Sequence, residues 1–134
     1  GVCLGMQLLA TRSEEFGDHA GLDLVPGVVR RLPEGHGPGS VRIPNMGWWK
    51  LVRADGGAML AGLPGDGMVY FLHAYGLEAV CARDVLATIR VNGRDVAAVI
   101  RRGNLIGAQF HPEKSGEVGL AILRRLLEYS EASE

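Results

Sequence analysis

The first five residues of the chain, Gly1 to Gly5, have the form G-x-C-x-G. With serine at the centre, the same frame builds a sharp strand-to-helix turn that lifts a nucleophile out of a sheet. The turn would place Cys3 at a helix N-terminus, where free N–H groups and the helix dipole favour a thiolate. The backbone N–H of Leu4 would then point at an oxyanion. The pattern predicts a nucleophilic cysteine, although a small buried cysteine among closely packed glycines also fits it.

A second candidate is the tripeptide His111-Pro112-Glu113, which follows an apolar run. Pro112 biases His111 toward an extended backbone, and residues two apart in an extended segment face the same way. The imidazole and the carboxylate can therefore lie side by side. A base oriented by a carboxylate is what a cysteine nucleophile needs. The alternative is a solvated loop in which the histidine and the glutamate are unrelated.

The elements that must position these residues follow from the apolar periodicity. Strands are predicted at 25–32, 41–52 with an interruption at 44–47, 68–75, 85–91, 96–101 and 105–110, and loops at 33–40 and 54–67. A short helix after Cys3 would carry Leu4, Leu8 and Leu9 on its apolar face, with Met6 at the margin. A longer helix over 115–129 would bury a face made of Val118, Ile122, Leu123, Leu126 and Leu127. This order is mixed α/β, and strand ends that meet at one edge of a parallel sheet would bring Cys3 and His111 together.

Composition narrows the class of protein. The chain has 134 residues, of which 47% are hydrophobic, and its formal net charge is -1. That is enough for one domain with a core, and the balanced charge argues against nucleic-acid binding. No run of about 18 apolar residues predicts a membrane span. Two cysteines give no disulfide framework, so a reduced cytoplasmic location is expected, and the histidines and cysteines lack metal-ligand spacing.

Taken together, residues 1–9 and 109–115 resemble the class I (triad) glutamine amidotransferases. Residues 44–48 and 70–75 are most similar to the glutaminase subunits of imidazole glycerol phosphate synthases, which act in histidine biosynthesis. The resemblance covers the whole chain. It implies a flavodoxin-like α/β domain over residues 1–134 with a mixed, mainly parallel central sheet, which starts at the nucleophile turn and lacks its N-terminal strands.

The resemblance also implies roles for individual residues. Cys3 corresponds to the nucleophile, His111 to the general base and acid, and Glu113 to the residue that orients the base. The implied substrate-binding residues for L-glutamine are Leu4, Gly5, Gln7, Glu15, His73, Ala74 and Tyr75. The implied partner is a cyclase subunit of (β/α)8-barrel fold, bound as a heterodimer through Pro44, Asn45, Met46, Trp48 and Lys114. The resemblance implies no cofactor, no metal, and neither nucleic acid nor membrane as a partner.

The sequence departs from this family at three positions, where Asn45 replaces a common His, Trp49 a common Asn, and Ala74 a Ser or Thr. The family also carries a segment before the nucleophile turn, so we expect the isolated chain to be poorly stable and nearly inactive. The alternatives are another class I amidotransferase and an inactive, truncated partner-binding module. A cysteine peptidase on a similar frame is disfavoured by Gln7 and Glu15.

Overall fold

The computed structural model describes residues 1–53 and 58–131. Within these ranges the helices are α1 (Leu4–Leu8) and α2 (Gly116–Glu131), and 3-10 turns lie at Ala58–Leu60, Ala82–Asp84 and Pro112–Lys114. The strands are β1 (Ala10–Ser13), β2 (His19–Ala20), β3 (Val25–Arg31), β4 (Asn45–Lys50), β5 (Val52–Arg53), β6 (Met68–His73), β7 (Tyr75–Ala79), β8 (Val85–Val91), β9 (Arg94–Arg102) and β10 (Leu105–Ala108). Residues 33–40 form a loop, as predicted, and residues 54–57 of the second predicted loop lie outside the described residues.

The strands pair in three groups, with the orders β2-β1-β3-β7, β10-β9-β8-β5 and β4-β6. The mixed α/β class is confirmed, but the expectation of mainly parallel pairing is not met in the described ranges. There, β1 and β3 pair in parallel and the other named strand pairs are antiparallel. The reason lies in the connections, since β8 to β9 and β9 to β10 are joined by two-residue turns that reverse the chain. The hairpin predicted at Asn92-Gly93 is the first of these turns.

Two of the predicted strands, 68–75 and 41–52, differ from the strands in the structure. The run 68–75 is not one strand, because β6 ends at His73 and the chain changes sheets at Ala74, whose carbonyl accepts from the N–H of Leu32. The predicted strand 41–52 begins only at Asn45, so its first four residues are not strand, and the interruption expected at 44–47 is wrong from Asn45 onward. From there β4 runs in unbroken antiparallel register with β6, from Asn45 opposite His73 to Lys50 opposite Met68.

The core has two parts. The larger gathers apolar side chains of β6, β8 and β9 with Ile122 of α2, and the smaller packs Met6 and Ala10 against Val25 and Val29 of β3. The apolar face predicted for α1 is wrong at Leu4 and Leu8, which are 60% and 52% exposed, and correct at Leu9, which is buried. Met6, expected at the margin, is fully buried. On α2 the predicted face is correct at Ile122 and wrong at Leu127, which is exposed.

A close approach at Gly119 sets the position of α2 against the His-Pro-Glu segment. A Cβ atom on Gly119 would lie 1.9 Å from the carbonyl oxygen of Pro112. Only a residue without a side chain lets the first turn of the helix come this near. The packing of α2 therefore depends on the same segment that carries His111.

We expect Gly119→Ala to destabilise the protein, although alanine is the better helix former by about 1 kcal/mol. The clash with the Pro112 carbonyl should outweigh that gain and leave a net loss of about 1–3 kcal/mol. Urea unfolding measures the difference. The matched control is Gly5→Ala in α1, where a Cβ atom would meet nothing within 4 Å, so stability should be unchanged or rise by up to about 1 kcal/mol. Equal stability of Gly119→Ala and the parent chain would contradict the packing argument.

Candidate active site

The backbone at Cys3 is strained as the G-x-C-x-G pattern predicts. Cys3 has φ 50° and ψ -110° and stands at the N-cap of α1. A non-glycine residue with positive φ costs about 1–3 kcal/mol and is common at functional sites. A Cβ atom on Gly1 would lie 2.5 Å from the carbonyl oxygen of Gly5, whereas one on Gly5 would meet no neighbour. The turn therefore requires glycine at position 1 but not at position 5.

Backbone pairing brings Cys3 to the His-Pro-Glu segment. The N–H of Cys3 donates to the carbonyl of Ala108 at 2.7 Å, and the N–H of Ala108 donates to the carbonyl of Gly1 at 2.9 Å. Val2 and Ala108 form a parallel bridge. The predicted meeting of two strand ends at one edge is thus confirmed, and Cys3 lies beside the residues that lead into His111.

The Cys3 thiol is half-buried, and burial raises its pKa above the ordinary value. A hydrogen bond from the Leu4 backbone and one from Gln109 act to lower the pKa, while the charges of Glu113 and Glu15 raise it. The pKa of Cys3 is raised overall, which favours the neutral thiol and not the thiolate that the turn was expected to favour. The physical reason is that α1 has only five residues, so its dipole is small against the loss of solvation.

The His111 imidazole is oriented by Glu113, with 2.7 Å between Nδ1 and Oε1. His111 has φ -98° and ψ 98°, which is the extended backbone predicted from Pro112. Because Nδ1–H donates to the carboxylate, Nε2 keeps its lone pair and can act as a base. Burial acts to raise the pKa of Glu113, but hydrogen bonds to its carboxylate from its own backbone amide and from His111 outweigh this effect. The pKa of Glu113 is lowered, so the carboxylate stays ionised.

The segment around His111 is anchored to β6. The N–H of His111 donates to the carbonyl of Tyr70 at 2.9 Å. The buried hydroxyl of Ser115 accepts from the N–H of Tyr70 at 2.9 Å and donates to the carbonyl of His111 at 2.6 Å. Sequence reasoning missed Ser115 as a support of the site. Its signal was a small polar residue at the start of a helix.

Part of the predicted substrate set lies around one pocket. Leu4, Gln7 and Glu15 line an open pocket of about 490 Å³, together with Phe16 and neighbouring residues. Gly5 and residues 73–75 are not among its lining residues. Gln7 nevertheless connects the two groups, because its Nε2 donates to the carbonyl of Tyr75 at 3.0 Å. Ala74 contributes its carbonyl to Leu32, so it does not turn that oxygen toward a ligand in this arrangement.

His73 is a buried and fully paired histidine. Its Nδ1 donates to the carbonyl of Tyr75 at 2.9 Å, and its Nε2 accepts from Nδ2 of Asn45 at 3.1 Å. Burial lowers the pKa of His73 below 6.5, so the ring is neutral. Asn45, predicted at a partner interface, is fully buried instead, and its Oδ1 has no hydrogen-bond partner among the residues that the structure describes. The strand alternation explains this, since Asn45 faces inward and Met46 outward.

The remaining predicted interface residues are on the surface. Met46 and Trp48 of β4 are 62% and 51% exposed. They lie opposite Leu72 and Tyr70 of β6, and the Trp48 and Tyr70 rings meet edge to face with centroids 5.9 Å apart. Pro44 and Lys114 are exposed as well. Trp48 and Met46 thus form an outward apolar face with Leu72, which we call the β4–β6 face.

Gln109 is the second functional candidate that sequence reasoning missed. Its side chain is fully buried, accepts from Nε2 of Gln7 at 3.1 Å, and donates to Sγ of Cys3 at 3.8 Å. The available signal was a polar residue inside the apolar run 105–110. In the ranges 1–53 and 58–131, no group of three or more His, Cys, Asp or Glu side chains is placed to hold a metal ion. Nor does any helix in the same ranges combine the length and apolar composition needed to cross a membrane.

Comparison with known proteins agrees with this arrangement. The family described as glutamine amidotransferase class-I matches residues 1–128. The imidazole glycerol phosphate synthase subunit HisH of Streptococcus gordonii is 45% identical over 96% of this chain and 59% of its own length. The proteins of that name from Moorella thermoacetica and, as HisH 1, from Legionella pneumophila (strain Paris) are 45% and 41% identical over 92% and 96% of this chain. The chain covers 56% and 63% of these two relatives, so it spans about three-fifths of the curated relatives it matches.

We expect His73 to make folding stability depend on pH in the weakly acidic range. Its folded-state pKa lies below the ordinary 6.5. The contribution of the neutral ring is therefore complete above about pH 6.5 and is lost as the pH falls toward the folded-state pKa. Urea unfolding at pH 7.5, 6.5 and 5.5 should show a smaller pH dependence for His73→Gln than for the parent chain. The exposed His19→Gln serves as the control, and equal slopes for the parent and His73→Gln would contradict the prediction.

Proposed function

The chain belongs to the class I glutamine amidotransferase family, and on that premise we propose that it is the glutaminase part of an imidazole glycerol phosphate synthase. In this role it hydrolyses L-glutamine to glutamate and ammonia for a cyclase partner in histidine biosynthesis. The observation that carries the proposal is the backbone pairing of Cys3 with Ala108. It joins the strained cysteine to the strand end three residues before His111, whose imidazole contacts the Glu113 carboxylate, and this supports a cysteine–histidine–glutamate site. The relatives named as HisH support the choice within the family.

The proposed reaction starts from a neutral thiol, because burial raises the pKa of Cys3. Nε2 of His111 takes the thiol proton while Sγ attacks the side-chain amide carbon of glutamine. The protonated His111 then gives this proton to the leaving nitrogen, so ammonia departs and a γ-glutamyl thioester remains. His111 next removes a proton from water, which attacks the thioester. The C–S bond breaks, glutamate leaves, and the thiol is restored.

Negative charge develops on the carbonyl oxygen in both halves of this reaction. The N–H of Leu4 at the start of α1, which bonds the Cys3 thiol in the resting site, is the donor that we propose for this oxygen. A single donor of this kind is worth about 3–4 kcal/mol in a comparable site. Glu113 has a different task, since it holds the imidazole in one tautomer and stabilises the imidazolium.

The pocket beside α1 is the proposed site for the substrate glutamine. Glu15 supplies a carboxylate for the substrate ammonium group, and Gln7 supplies an amide. The apolar part of the lining, with Leu4 and Leu8, suits the methylene groups of the substrate. Gly5 in the same helix has open space where a side chain would lie, which would leave room for the γ-carboxamide to reach Cys3.

The proposed partner is a (β/α)8-barrel cyclase subunit that binds the β4–β6 face. Exposed Met46 and Trp48 provide the apolar contact, and Lys114 follows His111 at the edge of the site. The β4–β6 face also leads to the nucleophile, since the carbonyl of Leu72 lies 4.0 Å from Sγ of Cys3. Ammonia released at Cys3 would therefore leave close to the partner. Asn45 is proposed to support this face from beneath rather than to touch the partner.

We expect Glu113→Gln to lower the kcat of glutamine hydrolysis about ten- to a thousandfold with little change in KM, because the imidazole loses its orienting charge. The measurement is glutamate release from glutamine in the presence of the cyclase subunit and its nucleotide ligand. Glu117→Gln, an exposed carboxylate in the first turn of α2, is the matched control and should leave kcat unchanged.

The same assay tests the function itself. Cys3→Ala should abolish glutamate release, and a diazoketone analogue of glutamine should label Cys3 in the parent chain. Labelling without turnover would identify a glutamine-binding module that is inactive in this form. No labelling and no turnover would sink the glutaminase proposal. If the synthase subunit of a different class I amidotransferase activated the chain and the cyclase subunit did not, the chain would be assigned to a different biosynthetic pathway.

We expect Met46→Asp to weaken binding of the cyclase subunit by at least tenfold, since a charge would replace a buried apolar contact in the complex. Leu120→Asp, an equally drastic change at an exposed position of α2, should leave the affinity unchanged. Titration by isothermal calorimetry, with unfolding curves for both variants, provides the comparison. Equal affinities for the two variants would show that the β4–β6 face is not the interface.

A further inference from the structure

Gln109 is a fully buried polar side chain at the junction between β10 and the His-Pro-Glu segment. Its backbone N–H donates to the carbonyl of Ala98 at 2.9 Å, which ties it to β9. The residue before it, Ala108, makes the two backbone bonds that hold Gly1 and Cys3. The Gln109 side chain therefore starts from backbone that is bonded to β9 and follows directly on the residue bonded to Gly1 and Cys3.

The hydrogen-bond partners determine which end of the Gln109 amide faces the sulfur. One terminal atom of Gln7 lies 3.0 Å from the carbonyl oxygen of Tyr75, which can only accept, so that atom must be the NH2 group. The same NH2 group lies 3.1 Å from the Gln109 amide, and the atom facing it must therefore be the oxygen. The remaining atom of the Gln109 amide is its NH2 group, and this group lies 3.8 Å from Sγ of Cys3.

We propose that Gln109 is a positioning residue for the proposed reaction, which donates an N–H hydrogen bond to Sγ of Cys3 and is itself held in that orientation by Gln7. The inference rests on the proposed function for its role in turnover. It differs from the substrate contacts and the triad, because Gln109 acts on the sulfur from within the core. Gln7 therefore has two roles, since it lines the pocket and also holds the Gln109 amide in its orientation.

The chemistry explains why such a donor is useful. A thiolate accepts a hydrogen bond more strongly than a thiol or a thioester sulfur does, so an N–H aimed at Sγ favours the charged form. Burial raises the pKa of Cys3, and the Gln109 bond counteracts it. The donor helps when His111 removes the thiol proton. It helps again when the thioester C–S bond breaks and the electron pair returns to sulfur.

The test is the pH dependence of Cys3 alkylation by iodoacetamide, measured in a Cys81→Ala background so that one thiol remains. Gln109→Met keeps the length of the side chain but has no donor. Its alkylation rate at pH 7.5 should be about three- to tenfold lower than that of the parent, with the same limiting rate at high pH. Since glutamine takes no part, a failed glutaminase assay does not affect this result.

The control is Ile100→Val. It shortens a fully buried side chain in the core cluster that also contains Met6 of α1, and it removes no polar group. It should lower stability and leave the pH midpoint of alkylation in place, whereas a purely structural role of Gln109 would give both variants the same midpoint. A second measurement needs no substitution at Gln109. The side-chain amide proton signals of Gln109 in the parent should shift with the same pH midpoint as alkylation. An unchanged midpoint in folded Gln109→Met, or amide signals that do not follow the thiol, would overturn the proposal.

Discussion

The site depends on two backbone hydrogen bonds, from Cys3 to Ala108 and from Ala108 to Gly1. They join segments that are far apart in the chain, since Cys3 and Gln109 are separated by 106 positions. Closing so long a loop costs entropy, which the successive antiparallel hairpins from β8 to β10 reduce by building one side of the junction locally. Once the junction forms, the nucleophile, the Gln109 amide and the His111 segment are brought to one edge together. No single element could position them.

A row of buried polar side chains surrounds this junction. Gln109, Gln7, His73 and Asn45 occupy places in the core where apolar residues would cost less desolvation. His73 and Gln109 bond through both polar atoms of their side chains, and Gln7 and Asn45 bond through their NH2 groups. A polar group left unpaired in a core costs about 1–3 kcal/mol. Their orientations therefore fix one another, from the sulfur at one end to β4 at the other. Within the described part of the chain, Oδ1 of Asn45 is the buried side-chain atom left without a hydrogen-bond partner, beneath the face proposed for the partner subunit.

The sequence predicts those parts of the site that depend on local geometry. The two-residue spacing of His111 and Glu113 and the glycine frame of Cys3 each specify a contact within a few positions, and both are present. Strand direction was not predictable in the same way, because apolar periodicity marks which face is buried and not which strand is the neighbour. Leu4 was misassigned because the strained turn at Cys3, rather than helical periodicity, determines which face of α1 meets the core. Gln109 escaped notice because its role is defined by partners that are distant in sequence.

The charges of the site favour a particular order of events. Glu113 stays ionised because hydrogen bonds lower its pKa, and its charge together with burial raises the pKa of Cys3. The resting site then holds a neutral thiol, and of the two carboxylates that act on it, Glu113 and Glu15, the first is already paired with His111. In the proposed reaction, negative charge on the sulfur arises only when the thiol proton moves to the imidazole and the imidazolium forms next to Glu113. The N–H groups of Leu4 and Gln109 are directed at atoms that become negative at this stage. They are in place before the charge appears, so the protein need not reorganise to stabilise it.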